Sequence, residues 1–411
     1  MPQRILLIAV KLPGDNEKRF ESSLEELDSL CNTAGGSVVK TMTQRRQKIH
    51  PAFYIGKGKL QEIKEAAEEL AVDLIVSNDE LSPGQLRNLS DHSGFQVIDR
   101  SQLILDIFAQ RARTKEGKLQ VELAQLEYTL PRLRGRGEEM SRLGAGIGTR
   151  GPGETKLETD QRHIRQRIDD IKRQLKMVVR QREQYRNRRK TNDVFQIAIV
   201  GYTNAGKSTL FNRLTQGDAL EENQLFATLD PLTRQIQLPS GFQTLVTDTV
   251  GFIQDLPTSL IASFRSTLEE VSEADFILHV VDMANPDLDQ QQQTVQNLLQ
   301  ELEADTIPML TIYNKHDLIT DDFIPMNHPN IIMSAHHPED LQRLLEKIEE
   351  ILTTEWKDYS VMLEPGQGKL IHRLERETIV TKKSFQETNN MYAIQGYVRH
   401  NHPLNGLLKE Y

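Results

Sequence analysis

The stretch "FQIAIVGYTNAGKSTLFNRL", residues 195–214, constrains the chain more than any other. An apolar run with strand character ends in G-x-x-x-x-G-K-S from Gly201 to Ser208 and passes straight into an amphipathic helical pattern. Glycines let the backbone wrap a phosphate, amide N–H groups converge inside the loop, and the following helix adds its positive end. Gly201, Tyr202, Thr203, Asn204, Ala205, Gly206, Lys207, Ser208 and Thr209 are therefore the candidate phosphate loop. Lys207 would serve as a point charge on the β and γ phosphates, and Ser208 as a ligand of Mg²⁺.

Three further motifs decide which nucleotide is held. "FQTLVTDTVG" ends an apolar strand in D-x-x-G: Asp248, Thr249, Val250 and Gly251. Asp248 can hold Mg²⁺ through water and the Gly251 N–H can sense the γ-phosphate, so Lys207 and Gly251 are the candidate catalytic groups. "MLTIYNKHDL" ends another strand in N-K-x-D: Asn314, Lys315, His316 and Asp317. The Asp317 carboxylate can accept hydrogen bonds from N1–H and the 2-amino group of guanine, which adenine does not offer. "IIMSAH" then places Ser334, Ala335 and His336 where backbone amides could meet the guanine oxygen. All four motifs follow predicted strands, as ligand loops do in open α/β sheets, and together they specify GTP or GDP.

The loop "NQLFATLDPLT" supplies Phe226, Ala227, Thr228, Leu229 and Asp230 as candidate nucleotide contacts. Thr228 is the expected third metal oxygen, because Thr233 begins the next strand; a hydroxyl that reaches Mg²⁺ only beside a γ-phosphate makes this loop an order switch. One position is chemically silent. Where many such enzymes place a glutamine that orients water, just after Gly251, this chain has Phe252.

Around this centre the pattern divides into four parts. Residues 1–108 alternate apolar runs ("RILLIAV", "GSVVKTM", "VDLIVSN", "FQVIDR") with amphipathic stretches, predicting a small α/β domain with a largely parallel sheet. Residues 109–190 carry leucines at 119, 123, 126, 130 and 133, then Ile164, Ile168, Ile171, Leu175 and Val178, predicting an antiparallel helical hairpin. Its tip, 134–155, holds seven glycines between Gly135 and Gly153 and arginines at 134, 136, 142 and 150, and is expected to be mobile when unbound. From Thr155 to Lys190 there are 13 Lys or Arg against 5 Asp or Glu, inside a chain of net charge −9. Such local excess fits a solvated helix face or a polyanion contact. Residues 191–356 form the nucleotide domain, and 357–411 a small α+β module. The fold class is thus multidomain α/β, in keeping with 411 residues.

Other features exclude function classes. A lone cysteine, Cys31, rules out an internal disulfide framework or a cysteine-rich zinc site. No run of 18 apolar residues suggests a membrane span, and the start reads as a buried strand, so a cytoplasmic setting is expected, with peripheral attachment to ribosome or membrane. "YIGKGK", Tyr54 to Lys59, admits a second nucleotide site in the N-terminal domain, although a plain turn is favoured. A P-loop kinase or ATPase is the competing enzyme class, and an RNA-docking module with nucleotide-regulated affinity the competing binding class.

The residues "GYTNAGKSTLFN", "FATLDP", "DTVGFI", "NKHD" and "SAH", with "AFYIGKGKLQEI" and "TKLETDQRHIRQRI" upstream, resemble the HflX family of translation-factor-related GTPases over nearly the whole chain. The resemblance implies GTP hydrolysis, binding to ribosomes mainly at the large subunit and its rRNA, and splitting or rescue of stalled or idle ribosomes under stress. It also implies slow intrinsic turnover stimulated by a partner, since an apolar side chain at the Phe252 position fits the family. In relatives that use a monovalent cation an asparagine stands where Asn204 does, so stimulation by K⁺ is expected. A monomer is expected.

Overall fold

The computed structural model describes residues 2–133, 156–191, 194–215, 225–254, 270–319 and 323–409. They fall into two compact units. One comprises 2–180 with 225–230 and 253–254; the other comprises 181–215, 231–252 and the residues from 270 onward.

The first unit is built on a parallel sheet of order β2-β1-β3-β4, formed by Gln3–Lys11 (β1), Gly36–Arg45 (β2), Leu74–Ser77 (β3) and Gln96–Asp99 (β4). Strand β1 is buried continuously from Ile5 to Lys11, as a parallel strand covered on both faces must be. Helices α1 (Glu17–Thr33), α2 (Lys57–Glu69), α3 (Pro83–Ser93) and α4 (Arg100–Arg111) alternate with the strands. Helix α3, which the apolar pattern does not announce, starts with a capping box between Ser82 and Gln85 and stops at Gly94 in the left-handed region. Cys31 is fully buried, and burial pushes its thiol up to about 12, so it is an inert core group.

Helices α5 (Lys115–Arg132) and α6 (Lys156–Thr191) realise the leucine and isoleucine rhythm. Leu119, Leu123, Ile168 and Ile171 form their shared core, flanked by Leu126, Leu130, Ile164 and Leu175. Ion pairs Arg167–Glu122 and Lys172–Glu127 decorate the seam; exposed and screened by solvent they add little, so the apolar stripe dominates the pairing. The expected glycine- and arginine-rich tip, Gly135 to Gly153, lies outside the described residues.

The second unit carries a six-stranded sheet of order β10-β9-β8-β5-β7-β6. Its strands are Gln196–Gly201 (β5), Leu232–Gln237 (β6), Gln243–Asp248 (β7), Phe276–Asp282 (β8), Met309–Asn314 (β9) and Asn330–Ile332 (β10); only β6 runs antiparallel to its neighbour. Strand β5 lies between β7 and β8, so the strand order reverses beside it, and its carboxyl end is where open α/β sheets place a ligand. Helices Lys207–Thr215 (α7), Leu288–Glu301 (α8) and Pro338–Glu355 (α9) flank the sheet. The closing module is an antiparallel sheet β11-β13-β12 (Lys357–Leu363, Met391–Val398, Ile379–Gln386) with helix α10 (Gly368–Glu377) and a short α11 (Leu404–Leu407). Trp356, at the end of α9, sets its ring edge-on to Phe195 and Phe242 at 5.6 and 5.3 Å. No helix among the described residues is long and apolar enough to cross a membrane.

Candidate nucleotide site

The phosphate loop begins where β5 ends. Gly201 and Gly206 both have positive φ, and a Cβ at Gly201 would run into the Val280 backbone, while one at Gly206 would run into the Asn314 side chain. Asn204 also adopts the left-handed region and is exposed, whereas Tyr202, Thr203, Ala205 and Lys207 are buried. The Lys207 ammonium folds back over the loop and donates to the Tyr202 carbonyl at 2.6 Å. Burial pushes its pKa down to about 8, against the pull of Asp248 and with the help of Lys315. Thr203 Oγ1 is buried with no hydrogen-bond partner among the described residues, the condition expected of a hydroxyl lining a polar ligand site.

The D-x-x-G segment is zipped to this loop. Thr203 N–H donates to the Phe252 carbonyl at 2.7 Å, and Phe252 N–H donates to the Gly201 carbonyl at 3.2 Å. Thr249 Oγ1 anchors the turn by donating to the Ile199 carbonyl, and Val250 is buried beside it. Gly251 consequently lies so close that a Cβ there would be 2.8 Å from Thr203 Cγ2 and 3.1 Å from Lys207 Nζ. The two candidate catalytic groups are thus neighbours. Asp248 is fully buried, and its carboxylate accepts from Ser208 Oγ at 3.0 Å. Adjacent hard oxygens at a phosphate loop fit Mg²⁺, which prefers carboxylate and hydroxyl ligands and retains water.

Phe252 is 1% exposed and packs with Ala198, Val200, Ile277 and Val295. It is a core residue, not a side chain presented to a nucleotide. Phe252→Gln is therefore expected to give no faster hydrolysis and to lower stability by about 3 kcal/mol, through lost aromatic burial and a stranded amide. Thermal unfolding and single-turnover GTP hydrolysis check both halves.

At the base-reading end, Asn314 acts as a cross-brace: its Nδ2 donates to the Ala205 carbonyl at 2.9 Å and its Oδ1 accepts from the Ala335 N–H at 2.9 Å. Lys315, in the left-handed region, pairs with Asp282 at 2.7 Å, which fixes its stem. Asp317 is exposed, and the Ser334 hydroxyl beside it holds its carboxyl below the usual range. His316 begins the short 3₁₀ turn that carries Asp317. The amides of Ser334, Ala335 and His336, expected to be able to meet the guanine oxygen, each have a partner within the protein. Ser334 N–H donates to Asp340, Ala335 N–H to Asn314, and His336 N–H, at 3.3 Å, to Ser334 Oγ. A guanine oxygen must share or displace one of these bonds. Asp282 and Asp340 belong to the site's support and are not singled out by the motifs.

Phe226, Ala227, Thr228, Leu229 and Asp230 belong to the first unit. Phe226 sets its ring edge-on to Phe108 of α4 at 4.7 Å, and Leu225 N–H donates to Thr33 Oγ1. In "YIGKGK" Tyr54 is buried, with its hydroxyl held by Asp79 and the Val10 N–H, and the Gly56 N–H is taken by Gln44 before α2 begins. That stretch is a helix entry whose leading amide already has a protein partner. His279, on β8, is buried with neither ring nitrogen partnered among the described residues, and burial lowers its pKa to about 4, so it is a neutral core group.

Three family models match the chain: "GTP-binding GTPase N-terminal" over residues 21–109, "GTP-binding GTPase Middle Region" over 111–189, and "50S ribosome-binding GTPase" over 196–315. The GTPase HflX of Alkalihalophilus pseudofirmus is 54% identical over 409 residues, covering 99% of this chain and 96% of its own. The GTPase HflX of Escherichia coli K12 is 42% identical over 375 residues, covering 90% and 88%. Among solved structures, a GTP-binding protein from Sulfolobus solfataricus in complex with GDP matches at 25% identity and a TM-score of 0.45, covering 85% of this chain and 98% of that one.

Proposed function

The chain belongs to the HflX family of ribosome-binding GTPases, and from that premise we propose that it is a nucleotide-driven switch that engages the large ribosomal subunit and its rRNA and splits or rescues stalled or idle ribosomes. The observation that carries the reading is the bracing of one pocket by Asn314, which ties the phosphate loop to the Ser334–His336 loop while Gly251 abuts Lys207. Ser208 and Asp248, joined by Thr228 when the γ-phosphate is present, would hold Mg²⁺, which supplies charge neutralisation on the β and γ phosphate oxygens. Lys207 and the loop amides bind the same oxygens, and the Gly251 N–H reports the terminal phosphate. Asp317 selects guanine.

None of these groups positions the attacking water, because the side chain at that place is the buried Phe252. Intrinsic turnover should therefore be slow, with the partner supplying what the chain lacks. Purified large subunits are expected to raise the GTP hydrolysis rate by at least about tenfold. Equal rates with and without them would overturn the proposal, as would cosedimentation that is the same with GDP and with a non-hydrolysable GTP analogue.

A further inference from the structure

The residues around Asp230 show a contact that the nucleotide chemistry does not use. Helix α5 begins at Lys115 with Thr114 as its N-cap: Thr114 Oγ1 accepts from the Gly117 N–H at 2.9 Å. The N–H groups of Arg113 and Thr114 just before the helix donate to Asp230 Oδ2, each at 2.9 Å, and the Thr114 hydroxyl donates to Asp230 Oδ1. A carboxylate from the loop at 225–230 thus sits at the entry of α5, where orphan N–H groups and the helix dipole favour negative charge. The seat is shaped for it, since a side chain at Gly117 would collide with the Asp230 carboxylate.

A second contact follows the same logic on the other nucleotide-sensing segment. Arg100, the first residue of α4, is 3% exposed, pairs with Glu26 at 3.2 Å and donates to the carbonyl of Gln254, three residues beyond Gly251. Phe226 against Phe108 completes the attachment. Both segments expected to respond to the γ-phosphate therefore end on helices of the first unit, one of which, α5, is half of the helical pair.

We propose that Asp230 is a positioning residue that latches the loop at 225–230 to the N-terminus of α5, so that a change of nucleotide at Thr228, two residues earlier, is felt at the first turn of the helical pair. This rests on the reading of Thr228 as the γ-phosphate-dependent metal ligand. The coupling is reciprocal: whatever nucleotide exchange does to the latch, the latch does to the preference between GTP and GDP.

The test is amide hydrogen exchange on the full chain, saturated in turn with GDP and with a non-hydrolysable GTP analogue. Wild type should show exchange at residues 114–120 that differs by about threefold or more between the two nucleotides. In Asp230→Asn, which cannot accept all three bonds, and in Gly117→Ala, which fills the seat while favouring the helix, that difference should be lost while residues 225–230 still respond. The same variants should shift the ratio of GDP to analogue affinity by about threefold or more. A first turn of α5 that ignores nucleotide in the wild type, or responds equally in both variants, overturns the latch. Failure to bind either nucleotide in a fluorescence titration would instead strike at the underlying nucleotide reading.

Discussion

Lys207→Ala is expected to abolish measurable nucleotide binding, weakening GTP and GDP alike by about 10²- to 10³-fold or more. The ammonium is buried, 6% exposed, and held against the loop by the Tyr202 carbonyl. Water therefore competes poorly for it, and each charge-assisted bond to a phosphate oxygen contributes about 1.5–3 kcal/mol. Two phosphates bridged by one cation account for the expected loss. Fluorescence titration with a labelled guanine nucleotide measures it, and a loss below about tenfold would remove Lys207 from the phosphate site.

The same lysine makes a pH prediction whose sign follows from its depressed pKa. Without ligand the group is charged below pH 8 and loses its proton as pH rises through about 8, well under the ordinary lysine value. Bound phosphates favour the charged form, so binding above pH 8 must take up a proton. Affinity should fall about tenfold between pH 7 and pH 9, and fluorescence titration of the wild-type protein across that range measures it.

How much of this was legible beforehand depends on whether a contact is local. The strands β1 to β4 and the motif loops that follow β5, β7, β9 and β10 are readable as apolar runs ended by glycine or polar residues. The pairing of α5 with α6 is readable from its leucine and isoleucine spacing. Helix α3 carries a signal of its own, Ser82 and Pro83 followed by Gln85, but its weakly periodic apolar face hides it. The hidden features are those whose partners are distant in sequence. Asp282 clamps Lys315 from another strand, Asn314 reaches back 109 residues to Ala205, and Asp230 reaches Thr114 across 116. A motif names the residue that faces the ligand, while the residue that holds it there is chosen by topology. The amides at Ser334 to His336 illustrate the converse, since a motif cannot show that its donors are already engaged within the protein.

Base selection should rest on a single exposed carboxylate. Asp317 is ionised well into acidic solution, because the Ser334 hydroxyl stabilises its charged form and lowers its pKa. Its stabilising contribution is present above the usual carboxylate pKa and fades only when pH falls through the lowered one, so preference for guanine should persist at mildly acidic pH. In Asp317→Asn the side chain keeps its size but offers one acceptor and one amide donor. Guanine then presents an N–H to an N–H at one of its two contacts, which costs the lost charge-assisted bond and strands a donor. GTP affinity is expected to fall by about 10²- to 10³-fold. A base with an oxygen at C2, as in xanthine, would meet the new amide as an acceptor and should bind better than GTP. Competition titrations with GTP, XTP and ATP decide the matter. Retained GTP affinity within about threefold would mean that guanine is read elsewhere, and the engaged amides of the Ser334–His336 loop would then have to release their protein partners to read it.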